Sequence, residues 1–316
     1  MDKKRLGNSD MDITRIGLGA WAIGGSWQFG WGPQDDKESI TTIHKALDLG
    51  INWIDTAPAY GLGKSEETVG KALKGTAYKP YIFTKCGLCW KDQKNPKRAV
   101  FPSLKAASIR KEAEDSLRRL NMDFIDLYQI HWPNPDADIE EAWTEMAKLK
   151  EEGKVRWIGV SNHSISQMER LNKIAAITSL QPPYHLLERK IEKEILPYCY
   201  RNNIGIITYS PMASGLLTGK MTRERIAALP DDDWRKKDIN YKEPRLTENL
   251  KLVERLKEIA GQHNATTAEI AIAWVLRNQE VTAAIVGMRH PDQPVGIRNG
   301  ADTVLTEEEM RFIEAG

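Results

Sequence analysis

The chain has 316 residues, 41% hydrophobic and 28% charged, with ten Trp, which is material for a sizeable core and excludes a disordered or fibrous protein. Lys plus Arg number 45 against 44 Asp plus Glu, so the formal charge of +1 supplies no electrostatic footprint for nucleic acid or an anionic membrane. The charged opening MDKKR has no apolar signal core, no uncharged apolar run approaches the ~18 residues of a membrane span, and three cysteines are too few for a disulfide framework, so a cytoplasmic protein is expected.

The first feature in chain order is Gly7-Asn8-Ser9-Asp10, which reads as the turn of a hairpin able to close the bottom of a barrel. Beyond it, short apolar runs at 16–23, 52–57, 81–85, 124–131, 157–161, 179–181, 205–209 and 283–286 predict strands. Amphipathic stretches between them predict helices at 37–49, 65–73, 103–120, 139–152, 165–174, 191–203, 250–263 and 267–278. Ser65 and Thr267 are the expected N-caps of two of these, and Gly50 and Gly153 the expected C-terminal stops of two others. Strands each followed by helical sequence imply parallel pairing with right-handed crossovers. The expected fold is therefore α/β, a (β/α)8 TIM barrel in one domain over 1–316, with an open doubly wound sheet as the alternative. The connection after 209 is too long for an ordinary loop, and its Gly215, Gly219 and Lys220, coming off a strand end, read as a belt that covers a ligand.

In a β/α barrel the chemistry sits where strands end, so the polar residues that terminate the apolar runs are informative. Asp55, Lys85, His131, Asn162, Gln181 and Tyr209 stand at or beside the ends of the second to the seventh. Taken singly, Lys85 reads as a strand end and His131 as a hydrogen-bonded core histidine. Taken with Tyr60, five residues after Asp55, they form a constellation for proton transfer to a carbonyl oxygen. A Lys⁺ beside a phenol favours phenolate and makes the hydroxyl a better acid than its free pKa of about 10 suggests. Asp55 would hold that lysine, and His131 would donate to the same carbonyl oxygen.

Other signals are weaker. Cys86-x-x-Cys89 follows a strand instead of opening a helix and lacks the two further ligands of a zinc site, so neither redox chemistry nor a metal is expected. Gly17-x-Gly19 followed by Gly24 and Gly25 misses the dinucleotide fingerprint, and the run from Gly215 to Lys220 is one residue short of a phosphate loop. Trp27, Trp31, Trp90 and Trp132 are candidate walls of a substrate cleft, with core packing the equal alternative for each.

The stretches GLGAW (17–21), INWIDTAPAYGLGKSEETVGKAL (51–73), FTK (83–85), IDLYQIHWP (125–133), GKVRWIGVSN (153–162) and ITYSPMASGLLTGK (207–220) resemble the aldo-keto reductases, most of all the bacterial branch related to potassium-channel β subunits. The resemblance spans nearly the whole chain. It implies NADPH-dependent reduction of aldehydes or ketones to alcohols, without metal, by a catalytic tetrad of Asp55, Tyr60, Lys85 and His131 with Tyr60 as general acid. NADPH or NADP+ would lie against Gly19, Ala20, Trp21 and Asp55, its carboxamide on Ser161, Asn162 and Gln181 and its ring on Tyr209. Ser210, Pro211, Met212, Ser214, Gly215, Leu216, Gly219 and Lys220 match the loop over the pyrophosphate. Gly287, Met288, Arg289 and Gln293 match the adenosine end, where Arg289 would pair with a 2′-phosphate. One departure is that Gly296 and Ile297 stand where the family usually has a Glu and an Asn on the adenine. The implied partner is a small carbonyl compound, with no nucleic acid and no membrane. The alternative function is a cofactor-binding regulatory module with slow or vestigial reductase activity; such modules often lack the histidine, and His131 is present.

Overall fold

In a computed structural model, which describes residues 1–91 and 100–315, eight parallel strands close into a barrel in chain order. They are β1 Ile16–Gly19, β2 Trp53–Asp55, β3 Tyr81–Cys86, β4 Ile125–Ile130, β5 Val155–Ser161, β6 Ser179–Gln181, β7 Gly205–Tyr209 and β8 Ala283–Gly287. Outside lie α1 Asp36–Asp48, α2 Lys64–Leu73, α3 Ala106–Leu120, α4 Ile139–Glu151, α5 Ile165–Asn172, α6 Ile195–Arg201, α7 Arg223–Ala227, α8 Arg245–Gln262, α9 Thr267–Leu276 and α10 Glu307–Glu314. No helix among the described residues is long and apolar enough to cross a membrane.

The barrel interior is built by the two-residue period of a strand. Trp53, Phe83, Leu127, Ile207 and Ile285 form an apolar layer, and Leu6, Met11 and Ile13 plug it from below. Burial of side chains of this size contributes roughly 1.5–3 kcal/mol each. Two residues further along the same strands come Asp55, Lys85, Gln129, Tyr209 and Gly287, so a polar layer at the barrel mouth rests directly on an apolar one. Gly17 makes room for this packing, since a Cβ there would stand 2.1 Å from the Trp53 ring.

The predicted hairpin exists: Lys3–Arg5 pairs antiparallel with Asp12–Thr14, and its Gly7 turn abuts Thr178 O and Gly205 N at the lower ends of β6 and β7. Gly50 (φ 90°) and Gly153 (φ 75°) end α1 and α4 in the left-handed region, as predicted. Both predicted N-caps are displaced. Gly63 caps α2, whereas Ser65 lies buried within its first turn, donating to Ala20 O at 2.8 Å and sharing a 2.9 Å hydrogen bond with Thr56 Oγ1. Thr266, not Thr267, caps α9, because the capping box needs an acid three residues on and Glu269 fills that place. The predicted helix 191–203 splits into a short turn at Lys190–Glu192 and α6, as Pro197 is tolerated only in a first turn. A second hairpin, Leu88–Trp90 with Val100–Pro102, precedes α3 and was not predicted.

Candidate active site

Lys85 is the penultimate residue of β3 and its side chain is fully buried, a rare position for a lysine, with three oxygens around its Nζ. They are Asp55 Oδ2 at 2.6 Å, Thr56 O at 2.9 Å and Tyr60 Oη at 3.2 Å. Burial lowers the lysine pKa, but Asp55 and Tyr60 outweigh it and raise the value, so the group is a cation. Tyr60 stands on the turn after β2, its ring edge-on to His131 with centroids 5.8 Å apart, and both are partly open to the barrel mouth. The structure therefore brings the four predicted residues together.

The Tyr60 pKa moves opposite to the expected direction. Lys85 does pull the Tyr60 pKa down, but burial, aided by Asp55, outweighs it and raises the value above that of a free phenol. Burial and the Lys85 charge hold His131 well below the ordinary imidazole value, so the ring is neutral. A proton donor with a raised pKa keeps its proton to higher pH. For carbonyl reduction, kcat/KM is thus expected to be flat from about pH 6 to about pH 9, without an inflection near the ~6.5 of free imidazole. A pH–rate profile with a limb near that value would contradict this assignment of charges.

Beside the tetrad, Ser161, Asn162, Gln181 and Tyr209 form one hydrogen-bonded chain. Tyr209 Oη donates to Asn162 Oδ1 (3.0 Å), Asn162 Nδ2 to Ser161 Oγ (3.0 Å), and Ser161 Oγ to Gln181 O (2.8 Å). Gln181 Nε2 then donates to Asp55 Oδ1 at 2.8 Å, which couples this chain to the tetrad. Asn162 adopts a left-handed backbone (φ 62°), fixed by its Nδ2 contact to His131 O at 3.1 Å.

The belt leaves β7 through further left-handed residues, Ser210 (φ 56°), Ala213 (φ 47°), Ser214 (φ 56°) and Gly215 (φ 99°). Such backbone costs of order 1–3 kcal/mol at each non-glycine position and clusters at functional sites. Tyr241 Oη stabilises it by donating to Ala213 O (3.2 Å) and Ser214 O (3.0 Å). Pro211 and Leu216 are buried beneath, Met212 is half-buried, and Gly219 and Lys220 close the turn, with Lys220 exposed.

At the other end Gly287 pairs in register with Gly19, and Ala20 N donates to Asp55 O at 2.8 Å. Met288 is buried. Gln293 Oε1 accepts from the Arg289 and His290 backbones at 2.7 and 3.1 Å. Arg289 is half-buried, and burial together with the nearby Arg235 charge lowers its pKa. Gly296 O accepts from Thr266 Oγ1 at 2.7 Å and Ile297 is buried, so neither presents a polar side chain.

The candidate wall tryptophans separate into two groups. Trp27 lies 5.8 Å from Tyr60, and Trp21 links it to Trp31 and Trp234 (6.5, 5.4 and 5.9 Å between centroids). Trp90 lies beside the Arg119 guanidinium at 5.6 Å, and Trp132 is exposed next to His131. Trp234, with Arg235 over the Trp31 ring at 4.6 Å, was missed because the run DDDWRKK reads as a solvated charged surface. Cys86 and Cys89 are free, and burial pushes both thiols up, Cys89 to about 11, which disfavours the thiolate.

The site suits a dinucleotide. The indole N–H groups of Trp31 and Trp234 are buried with no acceptor among the described residues, and a Cβ on Gly215 or Gly287 would meet open space. Donors without acceptors, two guanidinium groups and left-handed backbone are what a phosphate-bearing ligand requires.

Fold and site define a (β/α)8-barrel oxidoreductase. Residues 15–315 match the Aldo/keto reductase family, and the chain belongs to it. It is 41% identical to Aldo-keto reductase YhdN of Bacillus subtilis (strain 168) over 99% of this chain and 92% of that one. Identity to the NADH-specific methylglyoxal reductase of Escherichia coli (strain K12) is 34%, over 93% of this chain and 91% of that one. Among solved structures, the glycerol dehydrogenase AKR11B4 from Gluconobacter oxydans superposes with a TM-score of 0.91 at 42% identity, covering 99% and 94% of the two chains. The protein is an NAD(P)H-dependent oxidoreductase of this family.

Proposed function

We propose that the chain, acting as one domain over 1–316, reduces a small aldehyde or ketone to its alcohol with NADPH, Tyr60 giving the proton. The observation that carries this reading is the Tyr60 hydroxyl, 3.2 Å from a fully buried lysine that Asp55 keeps charged, facing a neutral histidine. A carbonyl oxygen lodged between Tyr60 and His131 receives a hydrogen bond from each, and both bonds strengthen as negative charge grows on it. Tyr60 then gives its proton to that oxygen, and Lys85 stabilises the phenolate left behind. When bound, the nicotinamide supplies the hydride. Ser161, Asn162, Gln181 and Tyr209 would hold its ring, the belt its pyrophosphate, and Gly287, Met288, Arg289 and Gln293 its adenosine.

By their names, the relatives act on methylglyoxal and glycerol, so loss of NADPH absorbance is best followed first with small aldehydes and ketones. Turnover of none of them would count against the reading. The preference for NADPH rests on Arg289, because a guanidinium pairs with a 2′-phosphate that NADH lacks. Arg289→Ala also removes the guanidinium's bonds to Gln34, Trp31 O and Pro33 O, a loss that bears on both cofactors alike, so the quantity to read is the difference between them. In fluorescence titrations NADPH is expected to weaken by about 1.5–3 kcal/mol more than NADH. Equal losses, or a wild type that prefers NADH as the name of the Escherichia coli relative suggests, would overturn this part.

A further inference from the structure

The loop between β1 and α1 lies against Tyr60 through Trp27, yet it is anchored on Arg289, just past β8. Arg289 Nε donates to Gln34 Oε1 at 2.7 Å, and Gln34 Nε2 donates back to Arg289 O at 2.9 Å. The rest of the guanidinium serves the same loop, Nη1 donating to Trp31 O at 3.1 Å and Nη2 to Pro33 O at 2.9 Å. Glu38 extends the seam, with Oε2 at 3.3 Å from Gln34 Nε2 and Oε1 at 2.5 Å from His290 Nδ1.

From this anchor, contacts run inward. Trp31 touches Trp21, Trp21 touches Trp27, and Trp27 lies against Tyr60. Elsewhere the loop is held by its buried turn Ala22–Gly24, packed against Tyr60 and Gly61, and by Arg235 over the Trp31 ring, while Gly25 and Gly32 have positive φ and Phe29 is exposed. Guanidinium carries five N–H groups. The loop takes one from each nitrogen, which leaves one on each of Nη1 and Nη2 for an anion.

We propose that Gln34 is a positioning residue: acting through Arg289, it sets the Trp27–Trp31 wall of the carbonyl pocket and ties that wall to the adenosine end of the cofactor. Its kinetic consequence rests on the reductase reading; its structural consequence does not.

Gln34→Leu keeps the volume and loses both bonds to Arg289, whereas Gln34→Glu keeps the acceptor. With NADPH, Gln34→Leu is expected to raise the KM for the carbonyl about tenfold with kcat within about twofold, because the tetrad is untouched. Gln34→Glu alone sets like charge against Glu38, so it is paired with Glu38→Gln, and that double variant should stay within about threefold of the wild-type KM. Without cofactor or carbonyl, backbone amides of 26–34 should exchange hydrogen for deuterium faster in Gln34→Leu than in wild type. Unchanged exchange, faster exchange with an unchanged KM, or a kcat that falls as far as kcat/KM would each overturn the proposal. A Gln34→Glu/Glu38→Gln double variant behaving like Gln34→Leu would overturn the route through Arg289. A wild type that reduces no carbonyl would overturn the reductase reading instead, and the exchange experiment would still decide whether Gln34 holds the loop.

Discussion

Tyr60→Phe is expected to lower kcat for carbonyl reduction by about 10²–10⁴-fold, the range that a positioned general acid contributes. The substitution removes one hydroxyl and little else. The ring keeps its neighbours Trp27 and His131, and Lys85 keeps Asp55 and Thr56 O as partners. Folding and cofactor affinity should therefore be nearly unchanged, which a melting curve and a fluorescence titration check. A variant that retains more than about a third of wild-type turnover, under conditions where chemistry limits, would show that the proton comes from elsewhere.

Lys85→Met should damage both stability and turnover. Methionine fills the volume of the lysine stem, but Asp55 then keeps Gln181 Nε2 as its hydrogen-bond donor and loses its counter-ion in a nearly closed site. Leaving one member of a buried ion pair unpaired typically costs about 3–5 kcal/mol. Adding Asp55→Asn to the same chain removes the stranded charge, so the double variant is expected to regain most of the stability and none of the activity. Urea unfolding midpoints and kcat, measured on the single and double variants, separate the two effects. A single variant within about 1 kcal/mol of wild type, or a double variant that recovers turnover, would contradict the role given to this pair.

The barrel was legible because its two periods differ: each apolar run became a strand and each amphipathic stretch a helix or part of one, with ends that moved by a few residues. The tetrad was legible because Asp55, Lys85 and His131 interrupt apolar runs at strand ends, where barrel chemistry resides. The sign of the Tyr60 shift was not, since a neighbouring lysine is visible in the sequence and the burial that outweighs it is not. Contacts between distant loops were likewise hidden. Gln34 and Arg289 are 255 positions apart, and nothing local to either residue announces a reciprocal pair. Trp234 and Arg235 sit in a charged run whose sequence signal is that of solvent exposure. The cap of α9 was within reach, because Thr266 and Glu269 have the three-residue spacing of a capping box and Thr267 does not.

The most direct test of hydride transfer is isotopic. NADPH deuterated at both positions of nicotinamide C4 is mixed with a small aldehyde and the wild-type protein, and the alcohol is weighed by mass spectrometry. The expected product carries one deuterium on the carbinol carbon, appears in step with the loss of NADPH absorbance, and forms hardly at all with Tyr60→Phe. Alcohol without the label, or consumption of NADPH with no alcohol formed, would contradict the assignment of this barrel as a carbonyl reductase.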